Sequence, residues 1–117
     1  MEGRFTERKL PRSYLRTTLL VLVAPGPSHG YELLEQLPDL GLIAIDTGGL
    51  YRMLRSMEQL GLLESWWEIS SSGPPRRTYA LTAEGRAALA VEVAEIESTV
   101  GLLGELVDRA TRVLGSS

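Results

Sequence analysis

The chemistry legible in this sequence sits mostly in two arginine pairs. Arg52 and Arg55 follow Gly48-Gly49, and Arg76-Arg77 follow the run SSSGPP. A guanidinium can meet guanine bidentately or hold a phosphate. Gly48 and Gly49 suit the same partner, because small residues at a helix start let the backbone approach an anion drawn by free N–H groups. The plainer reading makes Arg52 and Arg55 a solvated helix face. It leaves the glycines unexplained, since each costs about 1 kcal/mol against alanine inside a helix. For Arg76 and Arg77 the plainer reading is an exposed strand end kept soluble. A hairpin tip there would instead reach a phosphate backbone or adjacent minor groove, Arg76 being nearer the tip. Ser71, Ser72 and Gly73 could add backbone N–H contacts.

Other chemistry is sparse. Trp66 and Trp67 are consecutive, so in a strand they face opposite ways. One is expected to complete the core, leaving the other to pack at a subunit interface or line a ligand pocket. Both are therefore candidates for an effector pocket. His29 is the one histidine and there is no cysteine, so neither a metal site nor a cofactor is expected. No nucleophile has a base at a recognisable spacing, and Gly48-Gly49 lacks the Lys-Ser/Thr of a phosphate loop. The expectation is therefore not an enzyme.

The elements that position these residues follow from spacing. Leu50, Met53, Leu54, Met57 and Leu60 recur at helical intervals, with Asp46 as N-cap and Gly61 as the closing glycine. A wheel puts Gly48, Arg52, Arg55 and Gln59 opposite Leu50, Leu54 and Met57, with Tyr51 on the flank. Two helices precede this one. The first is expected from Pro11 through Val23, with Tyr14, Leu15, Thr18, Leu19 and Leu22 as its buried stripe and Pro25-Gly26-Pro27 as its stop. Its Arg12 and Arg16 either steer toward DNA or stay solvated. The second is expected to be capped by Ser28, with Tyr31, Leu33, Leu34 and Leu37 as its apolar side and Pro38 and Gly41 as its end. Residues 63–69 and 77–81 read as strands around the turn cluster.

Thr82 then opens a long helix to about Leu114. Along it Leu89, Val93, Ile96, Val100, Leu103, Val107, Ala110 and Leu114 alternate at spacings of four and three. That is an a/d seam over more than three heptads. Leu102, Leu106 and Val113 widen it beyond a bare zipper. Such a face is longer than three short helices and a hairpin could cover, so self-association through residues Leu89, Val93, Ile96, Val100, Leu103 and Val107 is expected.

With 117 residues, 44% hydrophobic and 23% charged, the chain has the length and composition of one ordinary globular domain. The longest apolar run, Leu19 to Ala24, is too short to span a bilayer. The N-terminus lacks the apolar segment of a secretion signal. The absence of cysteine fits a reducing cytoplasm. Net charge is −3, but it is unevenly placed. Arg4, Arg8, Lys9, Arg12 and Arg16 oppose only Glu2 and Glu7 near the start. Six acids oppose three arginines from Thr82 onward. The acidity thus sits in the C-terminal helix, and the rest can present a basic face.

The expected fold is mainly α (α+β): a winged helix-turn-helix with a C-terminal dimerisation helix. It divides into a flexible basic arm (1–10), a DNA-binding domain (11–82) and a dimerisation helix (83–114). The expected partner is double-stranded DNA. The competing reading is a winged-helix module that binds a protein instead.

Several stretches closely resemble the PadR family of bacterial transcriptional regulators. They are Ser28-His29-Gly30-Tyr31-Glu32-Leu33, Gly49-Leu50-Tyr51 with Leu54 and Met57-Glu58, Gly61-Leu62, and Arg77 through Gly85 (RTYALTAEG). The resemblance covers about residues 15–90. It implies a dimeric repressor that binds a palindromic operator, commonly beside the operon it controls, and is released by a small effector. The family commonly has threonine at the place of Gly49. A side-chain contact there is lost, which leaves Thr47, Tyr51 and Arg52 as the better candidates for contacting DNA. The run from Gly48 to Thr82 also resembles the polyhydroxybutyrate-responsive repressors, which implies control of storage-polymer genes and a polymer effector.

Overall fold

The computed structural model describes residues 10–41 and 45–116. The expected N-terminal arm, apart from Leu10, therefore lies outside the described residues.

Pro11 is extended rather than helical, and Arg12–Tyr14 form a single tight turn before helix α1, Leu15–Val23. Leu15, Thr18, Leu19, Leu20 and Val23 are its buried face. Tyr14 and Leu22, expected in the stripe, instead flank the core half-buried, and Leu20 and Val23 complete the buried face. Buried Thr18 is satisfied locally, its hydroxyl donating to the Tyr14 carbonyl at 2.8 Å.

Ser28 is not a helix cap. Ser28–His29 form a two-residue strand, β1. Helix α2, Gly30–Gln36, starts from His29, whose N–H donates to Glu32 Oε1 at 3.1 Å. Leu33 is fully buried and Leu34 partly. Tyr31 is 71% exposed rather than part of the apolar side. A turn over Leu37–Leu40 follows, with buried Leu37, and Gly41 closes it at φ 75°.

Helix α3, Thr47–Gln59, has the expected ends. Asp46 Oδ1 accepts from the Gly49 N–H at 2.7 Å. Gly61 sits at φ 79°, and the Leu62 N–H reaches back to the Met57 carbonyl at 2.9 Å. Leu50, Leu54 and Met57 are completely buried. They meet Leu15, Leu19, Leu20, Val23, Leu33 and Leu37 in one core. Strands β2, Leu63–Glu68, and β3, Arg76–Leu81, form the hairpin. The sheet is antiparallel in the order β1-β3-β2.

Helix α4, Ala83–Gly115, starts at Thr82, whose Oγ1 accepts from the Gly85 N–H at 3.0 Å. Its first turn lies directly on the backbone between α3 and β2. Thr82 Oγ1 donates to the Gly61 carbonyl at 2.5 Å, and the Thr82 N–H donates to the Leu62 carbonyl at 3.2 Å. Two turns later Glu92 is clamped to α1. It pairs with Arg16 at 2.7 Å and accepts from the Thr17 hydroxyl. Arg16 is thus tied to α4. From Glu97 to Ser116 every residue is exposed.

Candidate nucleic-acid interface

The wheel of α3 divides into four sides, and the structure gives each a different neighbour. Leu50, Leu54 and Met57 enter the core. Met53, Ser56 and Leu60 line a groove with Tyr14, Arg16, Glu92 and Ile96. Tyr51 and Glu58 turn toward the hairpin. Thr47, Gly48, Arg52, Arg55 and Gln59 are left exposed together. Arg52 and Arg55 have no acid partner among the described residues.

The two glycines have different reasons. A Cβ at Gly48 would lie 3.2 Å from Arg52 Nη1, so the bare Gly48 lets that guanidinium fold back along the first turn. Gly49 is buried rather than presented to solvent. A Cβ there would meet Asp46 Oδ1 at 2.8 Å and Ile45 Cγ1 at 2.9 Å. Its N–H is already given to Asp46. The helix's remaining uncommitted N–H groups at the exposed end belong to Thr47 and Gly48. Tyr51 is half-buried, held over the start of α2. A Cβ on Gly30 would come within 2.5 Å of its hydroxyl.

The wing arginines also separate. Arg76 is exposed near the end of the loop over 69–75. Arg77, expected to act beside it, is bound internally. Its Nε donates to Ser65 Oγ at 2.9 Å, and its Nη2 stands 3.6 Å from Glu58 Oε2. Its guanidinium lies over the Trp67 ring, 5.4 Å from the centroid. Ser65 in turn donates to Glu58 Oε1 at 2.8 Å. These bonds brace the hairpin against α3. At the tip, Ser71, Ser72 and Gly73 are exposed, but the Ser72 N–H is spent on Ser70 Oγ at 3.3 Å.

Neither tryptophan completes the core, since Trp66 is 39% and Trp67 62% exposed. The core is already closed by leucines and Tyr79. The pair does face opposite ways, so the two do not line one pocket. Trp67 lies opposite Arg77 in register, on the face toward α3. Trp66 lies opposite Thr78 on the other face.

Sequence reasoning missed a polar relay on that second face. Thr78 is 1% exposed, and its hydroxyl donates to Glu68 Oε2 at 2.9 Å. With its one proton spent, it accepts from His29 Nδ1 at 3.0 Å, which fixes the protonated nitrogen of that ring. The relay links all three strands. Burial raises the Tyr79 phenol above its ordinary pKa, with nearby Arg77 opposing the rise. Among the described residues no group of three or more His, Cys, Asp or Glu could hold a metal ion, and no helix is long and apolar enough to cross a membrane.

The family model for the transcriptional regulator PadR-like family matches residues 19–91. The chain belongs to this family. PadR-like proteins are transcriptional regulators, not enzymes. A PadR-family regulator from Eggerthella lenta is 32% identical, with TM-score 0.73 over 82% of this chain and 83% of its own. A conserved protein of unknown function, described as a potential transcriptional factor, is 36% identical. Its TM-score is 0.77 over 86% of this chain and 90% of its own. The Bacillus subtilis PadR solved in complex with operator DNA shares the fold at 21% identity, with TM-score 0.63. That match covers 71% of this chain and 48% of the Bacillus protein. No curated protein matches the chain. In this PadR-like chain the matched segment runs from α1 into the first turns of α4, and so includes every residue of α3 and the hairpin.

Proposed function

We propose that this PadR-like chain is a cytoplasmic, sequence-specific DNA-binding repressor that acts as a homodimer on a palindromic operator beside the operon it controls, relieved by a small effector. The observation that carries the proposal is the unpaired, exposed face of α3. Thr47, Gly48, Arg52 and Arg55 stand on it together, as a recognition helix entering the major groove requires. Arg76 supplies a third cation, from the wing, and Tyr51 flanks the reading face. Gly49 serves by letting the first turn pack tightly under its cap, and Arg77 by holding the wing. The Bacillus relative bound to operator DNA supports the same use of the fold.

Dimerisation is assigned to α4. Val93, Val100, Leu103 and Val107 of the heptad seam are exposed in the single chain, as are Leu102, Leu106 and Val113. A dimer would bury them, and reading both halves of a palindrome requires its two copies of α3 to stand about 34 Å apart, one turn of DNA. Residues 11–82 then form the reading domain and 83–114 the dimer helix. Effector relief rests on the family resemblance, and the narrower placement among polyhydroxybutyrate-responsive repressors on the run from Gly48 to Thr82. A response would fall to one tryptophan or the other, since they occupy opposite faces of the wing.

The test is mobility shift with the duplex upstream of the chain's own gene. Wild type binds it more tightly than an unrelated duplex, and binding weakens with salt. Arg52→Ala with Arg55→Ala loses that preference. Equal binding by the double variant removes α3 as the reading element. Absence of any duplex binding returns the fold to a protein-binding role.

A further inference from the structure

We infer that Trp67 is itself a DNA contact, packing its indole against the sugar-phosphate strand that crosses between α3 and the wing, and that Arg77 acts through it as a positioning residue. This rests on the DNA-binding reading above and adds a contact of a different chemical kind.

Position comes first. Trp67 shares a cleft with Tyr51, Arg55, Glu58, Gln59 and Arg77, directly beside the exposed face of α3. The cleft lies between the exposed face of α3 and the wing, so a strand contacted by both would cross it. Exposure comes second. An indole 62% open to water leaves much of a large apolar plane uncovered, and Arg77 is the cation over its ring. A deoxyribose can use an apolar plane of this kind.

Charge decides the occupant. Arg77 is held by Ser65 and Glu58, so its cation is largely satisfied within the protein. Glu58 is in turn balanced by Arg77 and Ser65. The cation left unpaired in the cleft is Arg55. An unpaired guanidinium beside an uncovered indole matches a phosphate followed by its sugar. Glu32 and Glu35 lie beyond Tyr51, across a second depression that Trp67 also lines. Arg76 lines that depression too, at its wing end, so a strand running from Arg55 to Arg76 passes along Trp67 and leaves the two acids to one side. A small effector would need enclosure, and this cleft is open along one side.

The contact makes a prediction that a phosphate contact does not. An apolar packing contact releases no counterion, so its loss leaves the salt dependence alone. In the full chain, Trp67→Ala weakens binding to the upstream duplex about five- to tenfold, with the log–log salt slope unchanged. Trp67→Phe retains most of the affinity. Arg55→Ala lowers the slope by about 0.9, the loss of one phosphate. Arg77→Lys weakens binding in the native background and by a smaller factor when combined with Trp67→Ala, the remainder being its bracing of the wing. In Trp66→Phe, which leaves Trp67 as the one emitter, the upstream duplex shifts or quenches fluorescence. This last readout needs no Trp67 variant to fold. Wild type that binds the duplex while Trp67→Ala binds equally, or while Trp67 emission ignores the duplex, overturns the inference. A slope lowered by Arg77→Lys overturns the positioning role, because it makes Arg77 a phosphate contact. Failure of wild type to bind any upstream duplex instead refutes the DNA-binding reading on which the inference stands.

Discussion

Replacing Gly85 with alanine sets two physical effects of opposite sign against each other. Gly85 lies in the first turn of a 33-residue helix, where helix propensity alone has alanine stabilising by about 1 kcal/mol. The packing says otherwise. A Cβ at Gly85 would stand 2.1 Å from the Leu62 carbonyl oxygen and 2.7 Å from Leu81 Cδ1. The first of these is backbone and cannot swing aside. It is about 1.3 Å inside the 3.4 Å at which ordinary contact begins. Relieving it means lifting α4 off the strand, which costs about 1–3 kcal/mol for overpacking. The shift also strains the Thr82 cap, worth about 1 kcal/mol. Set against the propensity gain, the net loss is about 1–3 kcal/mol. At roughly 4 °C per kcal/mol for a chain of this size, Tm falls by about 4–12 °C.

Gly101 is the internal control. It lies in the same helix with nothing within 4 Å of its Cβ position. Gly101→Ala therefore feels propensity alone and gains up to about 1 kcal/mol, or roughly 4 °C. Thermal unfolding followed by circular dichroism, at matched protomer concentration, reads both variants. A Gly85→Ala protein that melts at or above the wild-type temperature would refute the claim that α4 is seated by direct backbone contact at Leu62.

Three further outcomes are expected. Val100→Asp places a charge in the middle of the exposed seam of α4 and yields a monomer by sedimentation, with the fold of residues 11–82 retained; a persisting dimer assigns the association to another surface. Gly30→Ala drives the Tyr51 ring from its seat and destabilises by about 1–3 kcal/mol, while Gly30→Ala with Tyr51→Ala is less destabilised than the two separate losses added together. The raised pKa of the Tyr79 phenol makes its contribution to stability complete below pH of about 10. Above that, the unfolded chain ionises first and stability falls until the native phenol ionises too. Denaturant titration across that range shows a shallower alkaline loss in Tyr79→Phe.

The parts of the fold legible in the sequence are those whose signal is local. Leu50, Leu54 and Met57 announce α3 by spacing, Asp46 and Gly61 mark its ends, and SSSGPP marks the hairpin. The seam from Leu89 to Leu114 announces α4 in the same way. What was not legible depends on partners distant in the chain. Ser28 and His29 are a strand because Tyr79 and Thr78 lie opposite them, and two residues have no periodicity of their own. The burial of Gly49 depends on Ile45 and Asp46 folding beneath it. Arg76 is legible as the one nearer the tip, but nothing in the dipeptide shows that Arg77 is bound internally. Only the approach of Glu58 and Ser65 from other elements ties down the second and leaves the first exposed.

That asymmetry bears on how the site is built. A surface with four free arginines would bind any polyanion, with affinity set by salt and little sensitivity to where the phosphates lie. Here Arg77 is spent on bracing the wing against α3, and Arg52, Arg55 and Arg76 are carried on elements whose relative angle that brace fixes. Thr78 adds a second tie on the opposite face of the sheet through Glu68 and His29. Three cations at fixed separations match one strand geometry better than four on flexible supports. On the proposed reading, the internal pairing of Arg77 would give up one phosphate contact for definition of the others. In the proposed dimer the long helix would extend the same logic between protomers, since α4 is seated on the rest of the chain by the Gly85–Leu62 contact rather than by a linker. A dimer on these helices would hold its two α3 faces at one spacing.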